Sequence, residues 1–253
     1  MAMRTSNLFL NASVIGVLSV PFCAVAATPS DPISTFGISG SYNEYELESD
    51  IDPIDGEDEN LPKGGLFYSF GNKMTGESGL VYEAGVAAKY GEKDDSELLE
   101  GQFDVDLGLR AALQGDNYVD VIVGGGYAWS RFEPDGSSDV ELTTKGPFAK
   151  AAVGYNHKFS STTMRFEAGA RYTIDGETKL DVDDVGGDTV DLEDRAHPYA
   201  ELSFLWKQGY RGLPVMASVY YTQTRYELDE AYDVAGDTEL KNDEIGFKLG
   251  LAF

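Results

Sequence analysis

Asp104 and Asp106 stand two residues apart, so an extended chain projects both carboxylates from one face. Such a pair invites a hydrolytic reading, but acid–base chemistry needs further groups in reach. The chain has 2 histidines, His157 and His197, and no cluster of them for zinc. Its 1 cysteine, Cys23, falls in a segment expected to be cleaved off, which leaves no thiol nucleophile. A calcium reading attaches to Asp50, Asp52 and Asp55, yet Gly56 comes one place late and the closing Glu is missing. An echo, Asp184-Val185-Gly186-Gly187-Asp188-Thr189 against Asp233-Val234-Ala235-Gly236-Asp237-Thr238, makes Asp188 and Asp237 further weak cation candidates. A twice-used Gly-Asp turn is the preferred account of it. The two aspartates at 104 and 106 are better explained as partners of nearby bases. The expectation is a protein with no catalytic residues, no cofactor and no dedicated metal site.

The charge balance narrows the class. Of 253 residues, 44 are acidic and 19 basic, a net charge of -25, which excludes a nucleic-acid binder working through a basic patch. Hydrophobic residues make up 42 %, too many for a disordered acidic chain. The start has Arg4, an apolar run over 8–20 and small residues at Ala24-Val25-Ala26-Ala27. That is the pattern of a secretory signal peptide, expected to occupy 1–27 and to be removed. The mature domain is then 28–253, without cysteine. No later segment approaches 18 uninterrupted apolar residues, so a helical span is not expected.

What must position any inward group is a series of strands. Apolar residues recur at every second position over 36–42, 66–70, 80–90, 103–111, 119–129, 149–155, 164–174, 200–206, 215–221 and 245–253. About ten strands of roughly ten residues each suit a tilted crossing of a bilayer. Short connections (71–76, 114–117, 158–162, 207–212) alternate with long ones (50–63, 91–97, 133–144, 175–194, 229–242). Most of the surplus acid lies in the long set, while the short turns carry Lys73, Lys158, Lys207 and Arg211. An up-and-down meander with an even strand count puts both termini and all short turns at one end.

Alternation by itself leaves open which face points outward, since a secreted soluble sandwich alternates too. The polar face decides it. Glu83, Lys89, Asp104, Asp106, Arg110, Asp120, Lys150, Arg165, Glu167, Arg171, Glu201 and Lys248 are nearly balanced in sign while the whole chain is strongly negative. Solvent gives no reason for such balance. A narrow lumen does, because an unpartnered buried charge costs several kcal/mol. The apolar face carries Tyr90, Trp129, Tyr155, Tyr172, Trp206 and Tyr221 near strand ends, where interfacial girdles sit.

The chain ends IGFKLGLAF, with Ile245, Phe247, Leu249, Leu251 and Phe253 on one face. This closely resembles the C-terminal assembly signal of Gram-negative outer-membrane β-barrels, and the mature chain is similar in architecture to the small OmpA-type, opacity-type and porin-like barrels. The resemblance and the strand pattern together imply an all-β, transmembrane antiparallel up-and-down barrel, about ten strands by the count of alternating segments, with the eight usual in the resembled group as the alternative. The resemblance implies residence in the cell outer membrane as a monomer. It also implies contact with lipid bilayer and lipopolysaccharide, and handling by periplasmic chaperones and the barrel-assembly machinery. Asp104 and Asp106 resemble the paired aspartates of the ten-stranded omptin proteases. Those enzymes also need an Asp two residues before a His, whereas His197 follows Asp194-Arg195-Ala196. The expected function is a structural, adhesive or surface-interaction barrel with a charge-paired, largely filled lumen and acidic extracellular loops. A narrow passive cation-preferring channel is the alternative, and an omptin-like protease the third reading.

Overall fold

The computed structural model describes residues 32–49, 58–94, 96–133, 140–182, 186–227 and 238–253. Ten strands close into an antiparallel barrel: β1 (Ile33–Ser49), β2 (Asp58–Gly71), β3 (Gly79–Lys93), β4 (Ser96–Ala112), β5 (Asn117–Glu133), β6 (Val140–Lys158), β7 (Thr162–Thr173), β10 (Ala196–Trp206), β11 (Val215–Glu227) and β12 (Thr238–Ala252). Each pairs with its sequence neighbours in the wall, and β1 pairs with β12 to close the seam. There Ser34 and Phe253 exchange two backbone hydrogen bonds of 2.9 Å. Closure removes the free edges that an open sheet would expose.

The pleat sorts the side chains. On β5, Asp120 and Ile122 are 0 % and 1 % exposed, while Val121 between them is 63 % exposed. The same alternation runs around the wall, leaving Phe36, Leu66, Leu109, Val153, Phe166 and Ile245 on the outside. Water would not leave a continuous apolar belt of this extent uncovered, so the outer face suits a lipid environment. Tyr42, Tyr90, Tyr127, Trp129, Tyr172 and Tyr221 stand exposed toward the long-loop end; Phe70, Phe159, Trp206 and Tyr210 stand exposed toward the short-turn end. Two aromatic bands thus flank the belt, as interfaces favour.

Three features differ from the sequence expectation. Strands run 11–19 residues rather than roughly ten, because they continue beyond the apolar belt toward the long-loop end. Alternation in hydropathy fades there, since both faces are polar once outside lipid. The connection expected to be long over 91–97 is a tight link between Lys93 and Ser96, paired with each other, and Asp94 takes the positive φ of 49° that such a link demands. The connection over 175–194 contains a hairpin, β8 (Gly176–Val182) and β9 (Gly186–Leu192), and β8 pairs with the outer end of β6. It carries the wall outward as a flap.

The short connections take up little chain. In the turn from β4 to β5, Gly115 adopts φ 68°, which a side chain would strain, and Asn117 donates to the Gln114 carbonyl at 2.7 Å. The turn from β2 to β3 departs from the rest. Asn72, Lys73, Met74 and Gly76 are all buried, because this turn folds back into the barrel.

Candidate functional site: a lumen filled with charge

The inward positions of β4, β5, β6 and β7 supply the first layer. Arg110 and Asp120 are directly opposed across the β4–β5 ladder, and Nε of Arg110 donates to Asp120 Oδ1 at 2.6 Å. Arg165, reaching across from β7, also donates to Asp120 and to Glu167 at 2.6 Å. Its guanidinium occupies the space where a side chain at Gly154 would stand. Lys150 reaches Asp106 at 2.5 Å and Glu167 at 3.3 Å. Asn156 and the Tyr199 hydroxyl donate to Asp120 at 3.1 Å and Glu167 at 2.7 Å. Each ion therefore touches at least two counter-groups. Only such saturation offsets the desolvation of charges that have lost water.

A second layer is built from β2, β3, β4 and β10–β12. Lys63 bridges Glu100 at 2.6 Å and Glu244 at 3.3 Å. Lys89 pairs with Glu244, which also accepts from the Tyr220 hydroxyl at 2.7 Å. Lys248 pairs with Glu201 at 2.8 Å. Lys89 and Lys248 stand 5.1 and 5.2 Å from the centroid of the Tyr220 ring, which lies over Gly246.

The inturned segment joins these layers to the barrel floor. Lys73 pairs with Asp106, with Glu83 at 3.3 Å and with Glu167 at 3.4 Å. Arg110 holds the turn's backbone, donating to the Gly76 carbonyl and to the Lys73 carbonyl at 2.6 Å. Lys158 donates to the Thr75 carbonyl at 2.9 Å. Met74 packs with Ile33, Phe67, Leu205, Met216 and Ala252 in an apolar cluster across the short-turn end. Above this floor remains a cavity of about 300 Å³. It reaches Ser130, Thr144, Thr224 and Asn242 at the long-loop ends of their strands. Among the described residues, the lumen is a vestibule that extends toward the long-loop ends of the strands and is closed toward the short turns.

All twelve charged residues singled out from the sequence project into this lumen, though the sequence did not indicate how they pair. Lys89 meets Glu244 and Asp106 meets Lys150 across strands, Glu83 and Asp106 both meet Lys73 of the β2–β3 turn, and Arg165 with Glu167 is a pair within one strand. Asp104 accepts from Gln102 at 3.0 Å and Arg171 donates to the same residue at 2.9 Å. Lys63, Lys73 and Glu100 were missed. Lys63 lies within the 50–63 connection of the sequence reading and Glu100 between the 91–97 connection and the segment beginning at 103; both are strand extensions on which the parity of β2 and β4 points inward. The sequence places Lys73 among the basic residues of the short turns, and no local signal marks it as turned inward.

Asp106 is pinned by two lysines, while His197 meets Thr173 at 3.0 Å through Nε2 and accepts the Arg225 backbone N–H at 3.2 Å through Nδ1. His157 meets Asn117 at 2.8 Å beside a short turn and packs edge-on against Phe159. Asp50, Asp52, Asp55 and Asp237 fall outside the described residues, and Asp188 lies in β9. At the terminus, Ile245, Phe247, Leu249, Leu251 and Phe253 all face outward.

Residues 15–194 match the family described as outer membrane protein beta-barrel domain. The chain is similar in structure to the outer membrane protease OmpT from Escherichia coli, at TM-score 0.55 and 9 % identity over 89 % of this chain and 97 % of that one. It is also similar to the translocator domain of autotransporter NalP from Neisseria meningitidis, at TM-score 0.42 and 12 % identity, covering 87 % and 88 %. A third is the attachment invasion locus protein Ail of Yersinia pestis, at TM-score 0.31 and 13 % identity, covering 87 % and 99 %. Comparison with curated proteins gives no match. At 9 % identity the likeness to OmpT is one of fold.

Proposed function

The chain belongs to the outer membrane protein beta-barrel domain family, and within that premise we propose a non-conducting, non-enzymatic barrel whose work is done at its extracellular face. One observation carries this reading: the turn from β2 to β3 enters the lumen, and Lys73 within it is ion-paired to Asp106, Glu83 and Glu167. A solute entering from outside meets that layer and, beneath it, the cluster around Met74. Strands that outrun the apolar belt, and the β8–β9 flap, extend the outer face instead. A structural, adhesive or surface-interaction role fits a wall built this way.

Planar-bilayer recording on the purified full chain tests it. Silence is the expected result; steady cation-selective steps would replace this reading with a narrow passive channel. Peptide turnover abolished by Asp104→Ala would replace it with a protease.

Several properties belong to the same proposal. Residues 1–27 act as an export signal and are removed. The outward row from Ile245 to Phe253 is the pattern presented to the barrel-assembly machinery after delivery by periplasmic chaperones. The barrel works as a monomer amid lipopolysaccharide, and its acidic long loops hold divalent cations only loosely, through charge density.

A further inference from the structure

Among the described residues, every charged side chain lining the lumen cavity has an opposite charge within 4.0 Å except two, Asp104 and Arg171. These two sit on either side of one residue. Gln102 donates through Nε2 to Asp104 Oδ1 at 3.0 Å and accepts through Oε1 from Arg171 Nη1 at 2.9 Å. Its amide thus keeps a carboxylate and a guanidinium apart in a barrel where every comparable pair has closed.

Arg171 is also prepared for a ligand. Its guanidinium lies 5.4 Å from the centroids of both the Phe148 and Tyr199 rings, and its buried Nε has no hydrogen-bond partner. Ring contacts orient the group without consuming its N–H edge, which suits it to a carboxylate. Asp104 offers an acceptor to an ammonium. The cavity, about 300 Å³, is at the small end of ligand sites and, among the described residues, extends to the long-loop ends of the strands.

We propose that this vestibule binds a small zwitterion of the α-amino acid class, its carboxylate on Arg171 and its ammonium on Asp104. An anion alone leaves Asp104 unpaired, and a cation alone leaves Arg171 unpaired. A zwitterion satisfies both and keeps the lumen's charge balance. Phe148 and Met216, which also line the cavity, offer apolar contact to a side chain.

The test is calorimetric titration of the folded full chain in detergent micelles with glycine, L-leucine, L-phenylalanine and L-glutamine, each to about 10 mM. At least one binds. Its amine analogue lacking the carboxyl and its acid analogue lacking the amino group each bind about tenfold more weakly or worse, since each forfeits a charge-assisted hydrogen bond. Arg171→Met and Asp104→Asn, checked for unchanged heat-modifiable gel mobility, lose about tenfold or more. The analogues probe the unmodified protein, so the test holds even if a variant misfolds. Absence of heat with all four probes overturns the proposal. So does an acid analogue that binds as tightly as its parent, which would mark a simple anion site.

Discussion

Arg110 and Asp120 face each other as directly opposed residues of β4 and β5, their side chains joined at 2.6 Å and wholly shielded from solvent. Arg110 spends its remaining donors on carbonyls of the inturned segment, and Asp120 accepts from Arg165 and Asn156. The cross-strand pair therefore couples the wall to the floor. Charge in this barrel acts as filling material, with each ion held by several others.

Removing one member should expose the cost of the rest. Arg165→Ala leaves Asp120 and Glu167 buried with a partner lost, and is expected to destabilise the barrel by about 3–5 kcal/mol in urea unfolding from micelles. Arg131 is the control. On the exposed outer end of β5 it pairs with Glu133 and with Glu141 of β6, and hydrogen bonding to Glu133 raises its pKa above the usual guanidinium value. Arg131→Ala should cost less than about 1 kcal/mol.

Closure of the short-turn end is assigned to the inturned segment. Replacing Lys73 and Met74 together by alanine removes the ion and the apolar plug that fill it. Bilayer recordings should then show conductance steps where the parent protein is silent. A silent double variant would place the seal in the ionic layer alone.

The outer wall should reject charge. Val121 lies on the outer face of β5, beside the fully buried Asp120. Val121→Arg is expected to cost about 2–4 kcal/mol if position 121 lies near the midplane, measured by the same unfolding assay.

A tight contact lies on the outer wall. Trp129 covers Gly101 directly across the β4–β5 ladder, and a Cβ at 101 would collide with the indole. Gly101→Ala should displace the ring, cost about 1–3 kcal/mol and shift Trp129 emission in a Trp206→Phe background.

Much of this fold is legible in the sequence because a membrane wall enforces a strict period of two. Val119, Val121 and Val123 against Asp120 are enough to orient β5. The pairing of charges is less legible: Lys89 reaches Glu244 and Lys150 reaches Asp106 across strands, so their partners depend on register and curvature that no local pattern carries. Lys63 and Glu100 escaped notice because alternation fades where strands leave the belt. Lys73 escaped because inward folding of a turn is decided by the acids awaiting it, Asp106 and Glu167, which lie 33 and 94 positions away by residue number. Gln102 is a neutral residue among charges with no sequence signal for its place, and among the described residues it links Asp104 to Arg171.

The central claim is that the apolar face of every strand is the outside of a wall against lipid. Quenching by brominated acyl chains tests it most directly, using proteins with Trp129→Phe and Trp206→Phe and a single new tryptophan, Val123→Trp on the outer face or Ala128→Trp on the inner. Strong quenching at 123 and little at 128 is predicted. Equal protection at both positions, or stronger quenching at 128, would contradict it.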